Sequence, residues 1–91
     1  MPAEAQALGE LRAAVLRGDW TGAARAATAG LAEHADSLEL RRALAGIHRQ
    51  SGRMADAEAL LREVLAREPG DFAAAFTLAE MLIEAGRGAA A

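Results

Sequence analysis

Several residue types are missing from this chain of 91 residues. It contains no cysteine, lysine, asparagine or tyrosine, only two prolines, and 3% aromatic residues. Without cysteine it can form neither a disulfide framework nor a thiolate-ligated metal site. All ten basic residues are arginine, and thirteen acidic residues outnumber them, which makes the formal net charge −3. Because nucleic-acid binding needs a basic surface, this balance predicts that nucleic acid is not a partner.

Long hydrophobic runs are also missing. No apolar stretch approaches the roughly 20 residues of a membrane span. The N-terminal region contains Glu4 and Glu10 and has neither the basic start nor the unbroken apolar segment of a signal peptide. We therefore expect a cytoplasmic protein with no membrane partner. The hydrophobic share of 53% includes much alanine, which favours helix but buries little area, so we expect modest stability.

A period of 34 residues is present instead. A fixed period of this length is typical of a solenoid, in which one helical unit is repeated and stacked. The residues that recur at this spacing are Gly18, Gly52 and Gly86; Ala23 and Ala57; Leu31 and Leu65; Leu44 and Leu78; and the trio Leu11, Ala45 and Ala79.

The unit at residues 38–71 resembles the tetratricopeptide repeat. That family has a large apolar and then a small residue in the first helix, a turn glycine, an early alanine and a later apolar residue in the second helix, and a final proline. Those places hold Leu44, Ala45, Gly52, Ala57, Leu61 and Pro69. The segment Gly18-Asp19-Trp20-Thr21-Gly22-Ala23 is similar to the family's turn signature, which predicts that Trp20 packs between helices.

The period and the resemblance together predict an all-α fold, a right-handed α-solenoid of antiparallel helix pairs with five helices. The expected helices are 3–17, 21–34, one from Asp36 to the turn at Gly52, 54–68 and 72–85. We expect one domain over residues 1–87, with repeat 1 at about 4–37, repeat 2 at 38–71 and a partial repeat 3 at 72–87. Residues 88–91 are expected to be a flexible tail or the edge of a truncated, longer array.

Helix starts and buried faces follow from the local pattern. Asp36-Ser37-Leu38-Glu39 has the form of a capping box with Asp36 as N-cap, and Asp71 is expected to cap the fifth helix. Residues at helical spacing predict the buried face of the first four helices. These residues are Leu8, Leu11, Val15 and Leu16; Ala23, Ala27 and Leu31; Leu40, Leu44, Ile47 and His48; and Met54, Ala57, Leu60, Leu61, Val64 and Leu65.

No group of residues forms a catalytic or metal-binding pattern. His34 falls in the last turn of the second helix, where an imidazolium suits the helix dipole, and His48 falls at a helix seam. Neither has evident catalytic partners, and the carboxylates are spread over helix faces with arginines nearby. We therefore expect no enzyme activity, no cofactor and no metal.

The resemblance implies that the chain binds a peptide or helix of a partner protein in a concave groove lined by the first helix of each repeat. The family's carboxylate clamp is built from lysine and asparagine, which this chain lacks. Arg42 and Arg49 lie two turns apart on one face and predict an acidic partner segment, unless they are simply solvated. The groove residues implied by position are Arg12, Glu39, Arg42, Ala43, Gly46, Arg49, Gln50, Ala73, Phe76, Thr77, Glu80 and Ile83.

The fifth helix has too many large apolar residues for a single buried stripe. We expect some of Phe72, Phe76, Met81, Leu82 and Ile83 to form an exposed patch that contacts another chain or a further helix. Two alternatives to the groove-binding module follow. The chain is a homo-oligomeric structural protein, such as a homodimer, that self-associates through this helix, or it is the N-terminal accessory region of a larger enzyme such as a transferase.

Overall fold

The computed structural model describes the backbone of residues 3–90 and the side chains of residues 4–86. Five helices make up this part of the chain: α1 Ala3–Leu16, α2 Trp20–Glu33, α3 Leu38–Gln50, α4 Met54–Arg67 and α5 Phe72–Ala90. Residues 3–90 contain no β-strand. The prediction of an all-α, helical-repeat fold with five helices is confirmed.

The helices pack in chain order, each on the next one. Turns of only a few residues join them, so that consecutive helices must run antiparallel. The resulting array is elongated, measuring 47 × 30 × 17 Å along its principal axes. A stack of this kind depends on contacts between neighbouring helices only, as expected of a solenoid.

Glycine ends the first helix of each complete repeat. Gly18 and Gly52 have φ values of 74° and 80°, in the left-handed region that terminates a helix and favours glycine. Gly86, at the same place in the repeat, stays helical, and α5 continues to Ala90. The expected helix end near Ala85 is therefore wrong, because the alanines that follow favour helix. The helix includes residues 88–90, where we expected a tail, and residue 91 lies outside the described residues.

The start of α3 differs by one residue from the prediction. Its N-cap is Ser37, whose Oγ accepts a hydrogen bond of 3.0 Å from the backbone N–H of Leu40. The same hydroxyl donates to Glu4 Oε2 at 2.5 Å, which ties the start of α1 to this turn. Asp36, expected to be the cap, is exposed and instead accepts from Arg67 at 3.1 Å. The helix starts one residue later than predicted because the Ser37 hydroxyl, and not the Asp36 carboxylate, accepts the capping hydrogen bond.

Two clusters of small and aliphatic side chains form the core, and α3 lies between them. Leu40, Leu44 and Ile47 face the first cluster, whereas Ala45 faces the second. Alanine is frequent in both clusters and lets the helices approach closely. The first cluster contains Ala7, Leu8, Leu11, Ala14, Ala23, Ala27, Leu40, Leu44 and Ile47. The second contains Ala45, Ala57, Leu61, Val64, Ala74, Leu78 and Met81.

Two residues predicted to be buried are not. Leu16 is 88% exposed because it is the last residue of α1, and Met54 is 45% exposed because it is the first residue of α4. Trp20 packs against the first cluster, as predicted, but its position at the start of α2 leaves it only half-buried. Val15, Leu31, His48, Leu60 and Leu65 are likewise half-buried.

Candidate groove between α3 and α5

A cleft of about 400 Å³ lies between α3 and α5. It is lined by six of the residues expected in the groove, namely Glu39, Arg42, Ala43, Gly46, Ala73 and Thr77. Its floor includes two buried residues, Leu61 of α4 and Ala74 of α5. The sequence predicts Leu61 only as part of the core, because a solenoid pattern does not show which core side chains lie beneath the space between two first helices.

The cleft is open because small residues face it. Gly46 is half-buried, yet a Cβ built on it meets no atom within 4 Å. The neighbouring positions on the two facing helices are the alanines Ala43 and Ala73. Because glycine and alanine have little or no side chain, the space between α3 and α5 stays unfilled. The result is a shallow trough with an apolar floor.

An ion pair links Arg42, which lines the cleft, to the start of α5. Arg42 of α3 donates from Nη1 to Oδ2 of Asp71. The other carboxylate oxygen of Asp71 accepts from the backbone N–H of Ala74 at 3.0 Å, as expected of the N-cap of α5. The Ala74 hydrogen bond and, to a smaller extent, the Arg42 hydrogen bond and charge lower the pKa of Asp71, against the opposing effect of desolvation. Asp71 therefore starts α5 and also links it to α3.

Arg49 makes the corresponding link two turns further along α3. Its guanidinium donates to Glu80 at 3.2 Å and to Glu84 at 3.2 Å, both on α5. Burial acts to lower the pKa of Arg49, but the hydrogen bonds and charges of these two glutamates outweigh it and raise that pKa. Each of these carboxylates partly neutralises the arginine.

The first helices are joined by similar pairs along the same side of the array. Arg12 of α1 lies 3.7 Å from Glu39 of α3. The three groove arginines therefore each face a carboxylate of the same chain on a neighbouring element. Gln50 is exposed at the end of α3.

Six residues expected in the groove do not line this cleft, namely Arg12, Arg49, Gln50, Phe76, Glu80 and Ile83. Phe76 and Ile83 are 64% and 54% exposed and do not line the cleft. Along α5 they lie beside the groove-side residue Glu80, which is four positions from Phe76 and three from Ile83. Met81, expected in the exposed patch, is only 6% exposed and belongs to the second core cluster. This expectation is wrong because the helical phase points Met81 towards α4, together with Ala74 and Leu78.

The two histidines lie at a helix end and at a contact between helices. His34 ends α2, and its Nε2 is buried without a hydrogen-bond partner, while His48 is half-buried beside Trp20. Among the described residues, no three histidine or carboxylate side chains are grouped closely enough to hold a metal ion. No helix in that part of the chain combines the length and hydropathy needed to cross a membrane.

Comparison with known protein families agrees with this geometry. The tetratricopeptide repeat profile matches residues 14–65 and again residues 48–91. The chain belongs to the tetratricopeptide repeat family. No curated protein and no solved structure gave a significant match. Tetratricopeptide repeat domains are generally non-catalytic scaffolds that bind proteins or peptides.

Proposed function

We propose that this tetratricopeptide repeat domain is a non-catalytic interaction module that binds a peptide or helix of a partner protein in the cleft between α3 and α5. The observation that carries the proposal is the cleft itself, about 400 Å³ with a floor of Leu61 and Ala74. Ligand sites are typically concave and mostly apolar, with a few polar groups that fix orientation. Here Glu39, Arg42 and Thr77 are the polar groups at the rim.

The dimensions and lining of the cleft favour one apolar anchor side chain from the partner. Gly46 lets a partner backbone approach α3 closely, and the alanines on either side leave room for the anchor. A helix that lays its apolar face into a groove uses anchors of this kind. The hydrophobic floor supplies the affinity and the rim supplies the orientation.

Charge favours a neutral or basic partner segment over an acidic one. Arg42 already donates to Asp71, and Arg49 to Glu80 and Glu84. An acidic segment would have to displace these carboxylates, and each displaced carboxylate would then need new solvation. The earlier expectation of an acidic partner is therefore replaced, in this proposal, by an apolar anchor that does not depend on the arginines.

A phage-displayed random peptide library selected against the domain tests the proposal. We expect enriched peptides to share a large apolar residue. Their affinity should fall at least about tenfold, equivalent to about 1.4 kcal/mol, for Gly46→Leu, whose side chain fills the cleft. Ala59→Leu is the matched control, since Ala59 is exposed on α4 and does not line the cleft. Both substitutions suit a helix, so the folded fraction should not decrease.

Substitution of Arg42 and Arg49 in the same binding experiment tests whether the partner segment is acidic. If the proposal is right, Arg42→Ala combined with Arg49→Ala weakens binding less than Gly46→Leu does, and the salt dependence is shallow. Acidic peptides whose binding weakens with salt and with this double substitution would show that the partner is acidic. Failure to enrich any peptide, or binding that Gly46→Leu leaves unchanged, would overturn the proposed groove.

A further inference from the structure

Helix α5 has an apolar face that nothing covers within the described residues. Ala74, Leu78 and Met81 are its buried face. On a different side lies a second row at helical spacing, which we call the α5 stripe. Its members are Phe72, Ala75, Phe76, Ala79, Leu82, Ile83 and Gly86, all exposed and none charged. Phe72 is 88%, Phe76 64%, Ile83 54% and Leu82 47% exposed.

Residues at equivalent positions of the earlier repeats indicate what this face of the helix contacts there. Residues 34 positions before Ala79 are Ala45 and, one period earlier, Leu11. Ala45 is 1% exposed in the cluster shared with α4, and Leu11 is 5% exposed in the cluster shared with α2. Phe72 corresponds likewise to Leu38, which packs against the second cluster. The α5 stripe thus includes the face with which α1 and α3 pack on the following helix, represented by Phe72 and Ala79. It also includes Phe76 and Ile83, whose equivalents 34 positions earlier are the groove-side residues Arg42 and Arg49.

The other end of the array cannot cover this stripe. The residues of α3 that pack towards α2 include Leu40 and Leu44, and their equivalents on α1 are Gln6 and Glu10. Gln6 and Glu10 are exposed and hydrogen-bonded to each other at 3.4 Å. Stacking copies head to tail would press the apolar stripe against these polar groups and bury them without new partners. Self-association through the stripe must therefore be two-fold, with the same face on both copies.

We infer that this domain forms a two-fold dimer in which the α5 stripes of two copies pack antiparallel about Ala79. Read in opposite directions, the stripe pairs a large residue with a small one at two positions, two large residues at a third, and two alanines at the centre. Phe72 faces Gly86, Ala75 faces Ile83, Phe76 faces Leu82, and Ala79 faces Ala79 of the second copy. Small residues at the centre allow the helices to approach closely, and larger ones fill the space on either side.

The area of the stripe meets what a specific dimer needs. With about 200 Å² for a fully exposed large side chain, Phe72, Phe76, Leu82 and Ile83 expose roughly 500 Å² per copy. Two copies then bury about 1,000 Å², the lower limit for a specific interface. We therefore expect a reversible dimer whose population depends on concentration. The residues of α5 that line the cleft, Ala73, Ala74 and Thr77, do not belong to the stripe.

Sedimentation velocity across a wide concentration range tests the dimer. The average mass should rise from one chain, 9.4 kDa, towards two and stop there. Phe76→Glu with Ile83→Glu should shift the association to at least tenfold higher concentration and keep the helical circular dichroism signal, because both residues are exposed. Leu16→Glu is the matched control, since Leu16 is also an exposed apolar residue but lies on α1. This control should associate like the wild type.

Cysteine scanning tests the register, because the chain has no cysteine of its own. Ala79→Cys should form a disulfide-linked dimer on oxidation, whereas Ala75→Cys should not. In the antiparallel register, residue 75 of one copy is eight positions from residue 75 of the other, about 12 Å along the helix. A chain that stays monomeric at every concentration, grows beyond two copies, ignores the Phe76 and Ile83 substitutions, or cross-links at Ala75 overturns the proposal.

Discussion

Arg49 Nη1 on α3 donates a hydrogen bond of 3.2 Å to Glu80 Oε1 on α5. The arginine side chain is 26% exposed and the glutamate 44%, so that the pair is partly shielded from water. The core attaches α5 to α4, whereas this pair attaches it to α3 across the groove. The width of the groove therefore depends partly on a polar contact between residues of different repeats.

A double-mutant cycle on Arg49→Ala and Glu80→Ala measures this contact. We expect a coupling free energy of about 0.5–1 kcal/mol in urea unfolding, at the upper end for surface pairs because of the partial burial. The pair Arg62 and Glu58 on α4, 2.8 Å apart and with a more exposed arginine, is the control and should give about 0.3–0.5 kcal/mol. Added salt should reduce both couplings. A weaker coupling for Arg49 than for Arg62 would contradict the shielding.

Substitution by alanine should have opposite effects on stability at two glycines inside helices, Gly30 and Gly9. A Cβ on Gly30 would lie 2.7 Å from Ala7 Cβ and 3.0 Å from Leu40 Cδ1, so Gly30→Ala must push α1 and α3 away. We expect a net loss of roughly 1–2 kcal/mol, since overpacking outweighs the gain in helix propensity. Gly9→Ala is the control, because nothing lies within 4 Å, and it should gain up to about 1 kcal/mol. Thermal unfolding of both variants shows whether the signs differ.

Of the three glycines that recur every 34 residues, Gly52 and Gly86 should respond differently to substitution by alanine. Gly52 has a φ of 80°, where an added side chain costs roughly 1–2 kcal/mol, so Gly52→Ala should lower the melting temperature. Gly86 is helical, and Gly86→Ala should leave the melting temperature unchanged or raise it and increase the helical circular dichroism signal. A fall in stability for both variants would mean that Gly86 ends α5 in solution.

The fold could be predicted from the sequence because one period determines where each helix turns and which face it buries. The period fails at Gly86, where the left-handed turn seen at Gly18 and Gly52 is absent. It also fails at Ser37, because a period does not decide which of two adjacent capping residues accepts the hydrogen bond. Both errors are local, and both arise from backbone choices that neighbouring residues control.

The candidate site was less predictable. Glu39, Arg42 and Gly46, selected by their position in the repeat, line one cleft, and their role in binding a partner stays a prediction. The pairing of the arginines is not visible in the sequence, because Arg42 and Asp71 are 29 residues apart and Arg49 and Glu80 are 31 apart. Such pairs form only when two helices already lie side by side.

Acid should reveal the role of Asp71. Its pKa in the folded chain is lowered, first by the hydrogen bond from Ala74 and then by Arg42, relative to about 3.9 when unfolded. A carboxyl with a lowered pKa stabilises the fold above its unfolded pKa, and this contribution is lost as the pH falls through the folded pKa. Asp71→Asn keeps a capping oxygen but removes the charge.

At about pH 7 the wild type should therefore resist urea better than Asp71→Asn, and the difference should shrink as the pH falls below about 4 and through the lowered pKa of the folded carboxyl. Arg42→Gln separates the two causes. It removes the arginine contribution and keeps the hydrogen bond from Ala74, so the variant should retain part of the pH dependence. A difference between wild type and Asp71→Asn that stays constant with pH would show that the carboxylate charge does not stabilise α5 and that only the shape of the side chain matters.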